Sequence, residues 1–116
     1  MKVVKFKTGE TVKLTVKISS DANVGSNVNL DDVVVKKSIT NKFSVDLGKI
    51  DDINEKTLSV VSNFFVNSGA IDAIIESTHV ECSLSSESTS ETISAEKVKL
   101  NSNLFMAYMV VKLKKE

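Results

Sequence analysis

The chain has 116 residues, 15 acidic and 15 basic side chains, and 41% hydrophobic residues. That length closes one hydrophobic core without disulfides or metal, so a single domain is expected; the lone cysteine, Cys82, excludes an intramolecular disulfide, and zero net charge gives no bulk attraction to nucleic acid or an anionic membrane. All fifteen cations are lysine and no arginine occurs, so the planar fork that best recognises phosphate, carboxylate and guanine is missing.

In chain order, residues 3–18 carry the clearest pattern. Val4 and Phe6 alternate with Lys5 and Lys7, and Val12, Leu14, Val16 and Ile18 alternate with Thr11, Lys13, Thr15 and Lys17. A period of two means strands with one dry and one wet face. Two such runs around Thr8-Gly9-Glu10 predict a β-hairpin with a three-residue loop. Ser19 to Asp32 is rich in Ser, Asn and Asp and reads as a long polar loop. Val33–Val35 and Lys42–Leu47 are short strand candidates.

Residues 52–66 change period. Asp52 with Glu55 resembles a capping box, and Ile53, Thr57, Val60, Val61, Phe64 and Phe65 follow at helical spacing. One mid-chain helix is therefore predicted there, with the β-branched Val60, Val61 and Val66 arguing against it. From Ala70 the pattern returns to period two, Ile74, Thr78, Val80, Cys82 and Leu84 sharing a face, with a bulge near 75–77 where Asp72 and Glu76 break it, and the sequence leaves strand and helix both open over 70–78. A Ser/Glu-rich turn at 85–90 leads to the last strands, Ile93–Leu100 and Leu104–Leu113. The final one is apolar on both faces, which predicts a central strand or one whose outer face is covered. The sum is a mainly β (α+β) fold: an antiparallel β-sandwich or barrel-like roll of about six or seven strands with one mid-chain helix.

Chemistry finds little purchase. Asp21, Asn23, Asn27, Asn29 and Asp32 have the spacing of a calcium loop, but Gly25 sits one place early and residue 32 is not the bidentate Glu. His79 and Cys82 fall on opposite faces of a strand, so they form no thiolate–imidazole pair. Ser77 and His79 share a face but stand roughly 7 Å apart, too far for a nucleophile–base hydrogen bond. One histidine supports no histidine metal cluster. The acidic pairs Asp31/Asp32 and Asp51/Asp52 fit turns and a helix start. No catalytic residue, metal ligand or cofactor is expected, and the chain reads as non-enzymatic. Nucleic-acid binding is not expected either, since no exposed aromatic interleaves Lys5, Lys7, Lys13 and Lys17.

Charge is segregated along the chain. Residues 1–18 hold five lysines against Glu10, and residues 70–91 hold Asp72, Glu76, Glu81, Glu87 and Glu91 with no lysine. Opposite patches on one subunit are complementary between neighbours, which points to self-assembly or to docking on another protein. The residues expected at that interface are Lys5, Lys7, Lys13 and Lys17 on one side and Glu76, Glu81 and Glu87 on the other, with Phe105, Tyr108 and Met109 supplying apolar area. The competing expectation is that the acidic and basic strands lie side by side and cancel within one sheet. The predicted order of hairpin, long loop, strand, helix and further strands resembles the general plan of small tube- and neck-forming proteins of phage tails and related injection machines. The resemblance implies a structural, self-assembling subunit, with a monomeric inhibitor or adaptor as the alternative. No apolar h-region follows Met1 and no run reaches the roughly 20 apolar residues of a membrane span, so residence in the cytoplasm or in an assembled particle is expected.

Overall fold

Alternation at period two builds two sheets whose dry faces meet. In the computed structural model, which describes residues 1–67 and 69–116, 63% of residues lie in strands and 10% in helices, so the protein is mainly β. One sheet runs β1 (Lys2–Phe6), β10 (Leu104–Lys115), β6 (Thr57–Phe65), β3 (Asn23–Leu30) and β4 (Val33–Ser38), with β9 (Glu96–Lys99) beside β1 on the same edge of β10. The other runs β5 (Lys42–Lys49), β2 (Thr11–Ser19), β7 (His79–Ser85) and β8 (Ser90–Ser94). All pairings are antiparallel except that of β1 with β10. The two sheets pack face to face as a β-sandwich, the aligned solution for two half-dry sheets.

The core sits between the inner faces. Val4, Phe6, Val12, Leu14 and Val16 are fully buried, as their alternation predicts. Phe64 and Phe105 are neighbours in register across β6 and β10 and stack with ring centroids 4.6 Å apart. Two hydroxyls enter this dry layer as a pair, Ser26 and Ser62, directly opposite each other and sharing a 2.7 Å hydrogen bond. Each is thereby satisfied, which makes its burial tolerable.

Several predicted elements differ. The alternating runs at 3–18 are strands, but they do not pair as a hairpin. β1 lies against β10 in one sheet and β2 between β5 and β7 in the other. The link between them is pulled across the end of the sandwich. The Glu10 carboxylate accepts hydrogen bonds from the Ser86 and Ser88 hydroxyls, both at 2.7 Å, and Glu87 in return accepts from the Thr11 N–H at 3.2 Å. The Ile50 N–H donates to the Glu10 carbonyl at 2.9 Å. Gly9, with φ of 84°, supplies the left-handed step this link needs.

The predicted loop at 19–32 is largely β3. Val24, Ser26, Val28 and Leu30 face the core, and Asn23, Gly25, Asn27 and Asn29 face out. The predicted helix at 52–66 is instead a one-turn helix α1 (Ile50–Ile53) followed by β6. β6 is hydrogen-bonded on both edges, and Val61 and Phe65 stand on its outer side among Thr57, Ser59 and Asn63, so its alternation is blurred. Over 70–78, where the sequence leaves strand and helix open, the chain forms the short helix α2 (Ile71–Ser77), with Ile71, Ile74, Ile75 and Thr78 turned inward at helical spacing. Lys97 holds its C-terminal end, donating from Nζ to the carbonyls of Ile75 at 2.7 Å and Thr78 at 2.9 Å. Ile93–Leu100 is broken at Ala95, whose N–H donates to the Val80 carbonyl, so that β8 and β9 serve different sheets. The described residues therefore form ten strands and two short helices, more than the six or seven strands and one helix expected. The element order behind the resemblance to tail and neck proteins is not the observed one.

Two outcomes follow from this packing. Phe64→Ala should destabilise the fold by about 3–5 kcal/mol in urea denaturation, whereas Phe65→Ala, one residue on and facing out, should cost under about 1 kcal/mol; equal losses would contradict a strand here. The Ser86 and Ser88 hydroxyls hold the Glu10 carboxyl below its ordinary value. A depressed folded-state value contributes stability at neutral pH that is lost as pH falls below about 4.5. Glu10→Gln should thus lower the melting temperature at pH 7, and the gap to wild type should shrink on acidification.

Candidate functional site

Of the charged residues singled out by sequence, some stand opposite a residue of the other sign across the four-stranded sheet. Lys17 lies directly opposite Glu81 on β7, and Lys13 opposite Asp46 on β5. Lys2 forms a 2.8 Å ion pair with Glu91, and Lys99 a 3.0 Å pair with Asp72. Glu87 is engaged with the Thr11 amide. Lys5, Lys7 and Glu76 are exposed, on β1, just after it, and on α2, and nothing in the fold brings them together. Phe105 and Met109 point inward and are buried, so they build the core rather than an interface; Tyr108 is half-buried on the opposite, outer face of β10.

Candidates for chemistry fare no better. His79 is exposed and Cys82 buried on the other face of β7, as their parity predicts. Burial pushes the Cys82 thiol up to about 12, which makes it inert as a nucleophile. Asn23, Asn27 and Asn29 line one side of an extended strand, and Asp21 and Asp32 lie beyond its two ends, roughly 30 Å apart. These oxygens cannot converge on one calcium ion. Asp31 instead makes the β3–β4 turn, with φ of 51° and a carboxylate that accepts from the Thr57 N–H at 2.8 Å. Among the described residues no group of three or more His, Cys, Asp and Glu is placed to hold a metal ion. No helix among them is long and apolar enough to cross a membrane.

The outer faces of the two sheets differ sharply. That of the four-stranded sheet is hydroxylated. Ser44, Thr15, Ser83 and Thr92 form one row across all four strands, with hydrogen bonds of 3.0 Å between Thr15 and Ser44 and between Ser83 and Thr92. This face is self-satisfied and suits water.

The outer face of the six-stranded sheet is apolar along Leu104–Val110 of β10 and polar on β3, where Asn23, Gly25, Asn27 and Asn29 face out. Leu104, Met106, Tyr108 and Val110 run along β10, with Val61 and Phe65 beside them on β6 and Val98 on β9. Phe65 remains 57% exposed and Ile39, just past β4, 85% exposed. Gly25, Asn63, Phe65, Leu104, Lys37 and Ile39 surround an open hollow of about 520 Å³. Gly25 makes its floor, and a Cβ added there would meet nothing within 4 Å. On the far side of β10 a second hollow of about 350 Å³ lies among Lys2, Ile93, Glu96, Tyr108 and Val110. There the pairings of β9 and β1 with β10 stop short of each other, leaving Met109 and Val110 without a strand partner on that edge.

A small-molecule site is enclosed and carries a few convergent polar groups. These hollows are open, and the amides of Asn27 and Asn63 stand in separate register rows. A contiguous apolar sheet face is the signature of a protein-docking surface. Sequence reasoning found the doubly apolar β10 but missed the face around it, because β6 was read as helix and β3 as loop. Compared with known proteins, the chain matches no family model, no curated protein and no solved structure.

The opposed faces of β7 give a direct check. Cys82 should resist thiol-specific labelling in the folded protein and react fully once denaturant unfolds it; rapid labelling under native conditions would mean that β7 is misoriented.

Proposed function

We propose that this chain is a non-enzymatic structural or interaction protein that assembles with further copies of itself through the outer face of the six-stranded sheet. The single observation behind this reading is the run of apolar side chains Leu104, Met106, Tyr108, Val61 and Phe65 on one sheet face, the first four half-buried and Phe65 57% exposed among the described residues. Five strands spaced about 4.8 Å and some seven residues long present roughly 600 Å², close to the ~800 Å² per partner of a standard interface. On the other sheet Lys13 and Lys17 stand opposite Asp46 and Glu81, which moves the expected contact away from these residues.

A monomeric adaptor is the second reading, favoured by β4. This strand is the edge of its sheet, and Val33 and Val34 on it are exposed, so an extended segment of another protein could add there. Lys36 and Lys37 weigh against it, since lysines on an edge strand oppose pairing.

Mass in solution separates the two. Light scattering up to high micromolar concentration should give a mass above that of the 12.6 kDa monomer. Val61→Glu, at the centre of the face, should return the protein to monomer with its cooperative unfolding intact. A strict monomer for the wild type would overturn the self-assembly reading.

A further inference from the structure

We propose that the occupant of this face is one second copy of the chain, packed face to face about a two-fold axis that runs parallel to the strands over β6. The proposal rests on the self-assembly reading above and adds the geometry. Strand register places Glu96, Tyr108, Val61, Asn27 and Lys37 in one row across β9, β10, β6, β3 and β4. The row is apolar toward its middle, with a carboxylate at one end and an ammonium at the other. Both end residues are exposed, and they stand roughly 19 Å apart, four strand spacings.

A two-fold axis along the strands at Val61 reverses the row while keeping its height. Lys37 of one copy then lies over Glu96 of the other, and the symmetry makes this contact twice. Val61 meets its own copy, and Tyr108 covers Asn27. The alternative axis, running across the strands along this row, sets Lys37 on Lys37 and Glu96 on Glu96, and like charges at close range oppose docking. Charge therefore selects one orientation of an otherwise general apolar contact.

The neighbouring row supports the same axis through shape. Val98, Met106, Asn63 and Gly25 lie side by side on β9, β10, β6 and β3. Reversal about β6 brings Met106 of one copy over Gly25 of the other. Gly25 is the floor of the 520 Å³ hollow and offers no side chain of its own. Methionine, unbranched and adaptable, is well suited to fill an irregular hollow of that kind. The contact is isologous, so it closes at two copies and does not propagate into a filament.

Charge reversal tests the arrangement by sedimentation equilibrium of the full chain at physiological salt. Lys37→Glu and Glu96→Lys should each weaken dimerisation about tenfold or more, and the double reversal should restore it to within about threefold of wild type. Gly25→Leu, whose side chain enters open space, should fold normally and weaken the dimer by blocking Met106. A dimer that Val61→Glu dissociates but that ignores both single reversals, or that the double reversal fails to rescue, would overturn this axis while leaving self-assembly through the face intact. A wild-type monomer at high micromolar concentration would overturn both, and an open-ended oligomer would overturn the closed two-fold contact alone.

Discussion

The structure depends on β10 having to satisfy two edges and two faces at once. Its inner residues Phe105, Ala107, Met109, Val111 and Leu113 build the core. Its edges hold β6 along one side and both β9 and β1 along the other. A backbone paired on both edges, save at Met109 and Val110 on one of them, is a central strand, and central strands tolerate apolar residues on both sides. Tyr108, Met106 and Val110 follow from that tolerance, but tolerance does not supply a cover for them. The apolar residues on its outer side are what remains when a strand suited to a buried position has one of its two layers provided by the chain.

The ends of the sandwich are held by a different kind of force. Glu10 and Glu87 exchange hydrogen bonds with the serines and amide of each other's segments, and Lys97 closes the last turn of α2. These are local polar fastenings on short connections that change sheet. Where these segments change sheet, the polar groups named are answered nearby, as buried polar groups require.

Legibility in the sequence followed the cleanliness of the alternation. β2, with Val12, Leu14, Val16 and Ile18 set against Thr and Lys, was plain, because one face is core and the other water. β6 was opaque because Val61 and Phe65 put apolar residues on its outer side while Ser62 sits among the buried positions, its hydroxyl answered by Ser26 across the ladder. β3 was hidden for the converse reason: Asn23, Asn27 and Asn29 are turn-forming residues by preference, and tertiary pairing on both edges overrode that preference. α2 carried a readable signal in Ile71, Ile74, Ile75 and Thr78, obscured by Asp72 and Glu76 within the same turns. Pairing partners were not readable at all. Nothing local announces that β1 joins a strand more than a hundred residues away rather than the one it precedes. The outer face around β10, which is assembled from separately misread or half-read strands, shares that fate.

The pairing of β1 with β10 also has a mechanical meaning. The two strands are parallel, Lys2 to Phe6 alongside Val111 to Lys115. Tension entering before β1 and leaving after β10 would draw them in opposite directions along their shared axis. Their hydrogen bonds would then be loaded together, in shear, rather than opened one at a time as in a peeled antiparallel edge. A subunit joined to its surroundings through those two strands would resist extension at the point where its first and last strands meet, and the rest of the sandwich would be shielded until that clamp slipped.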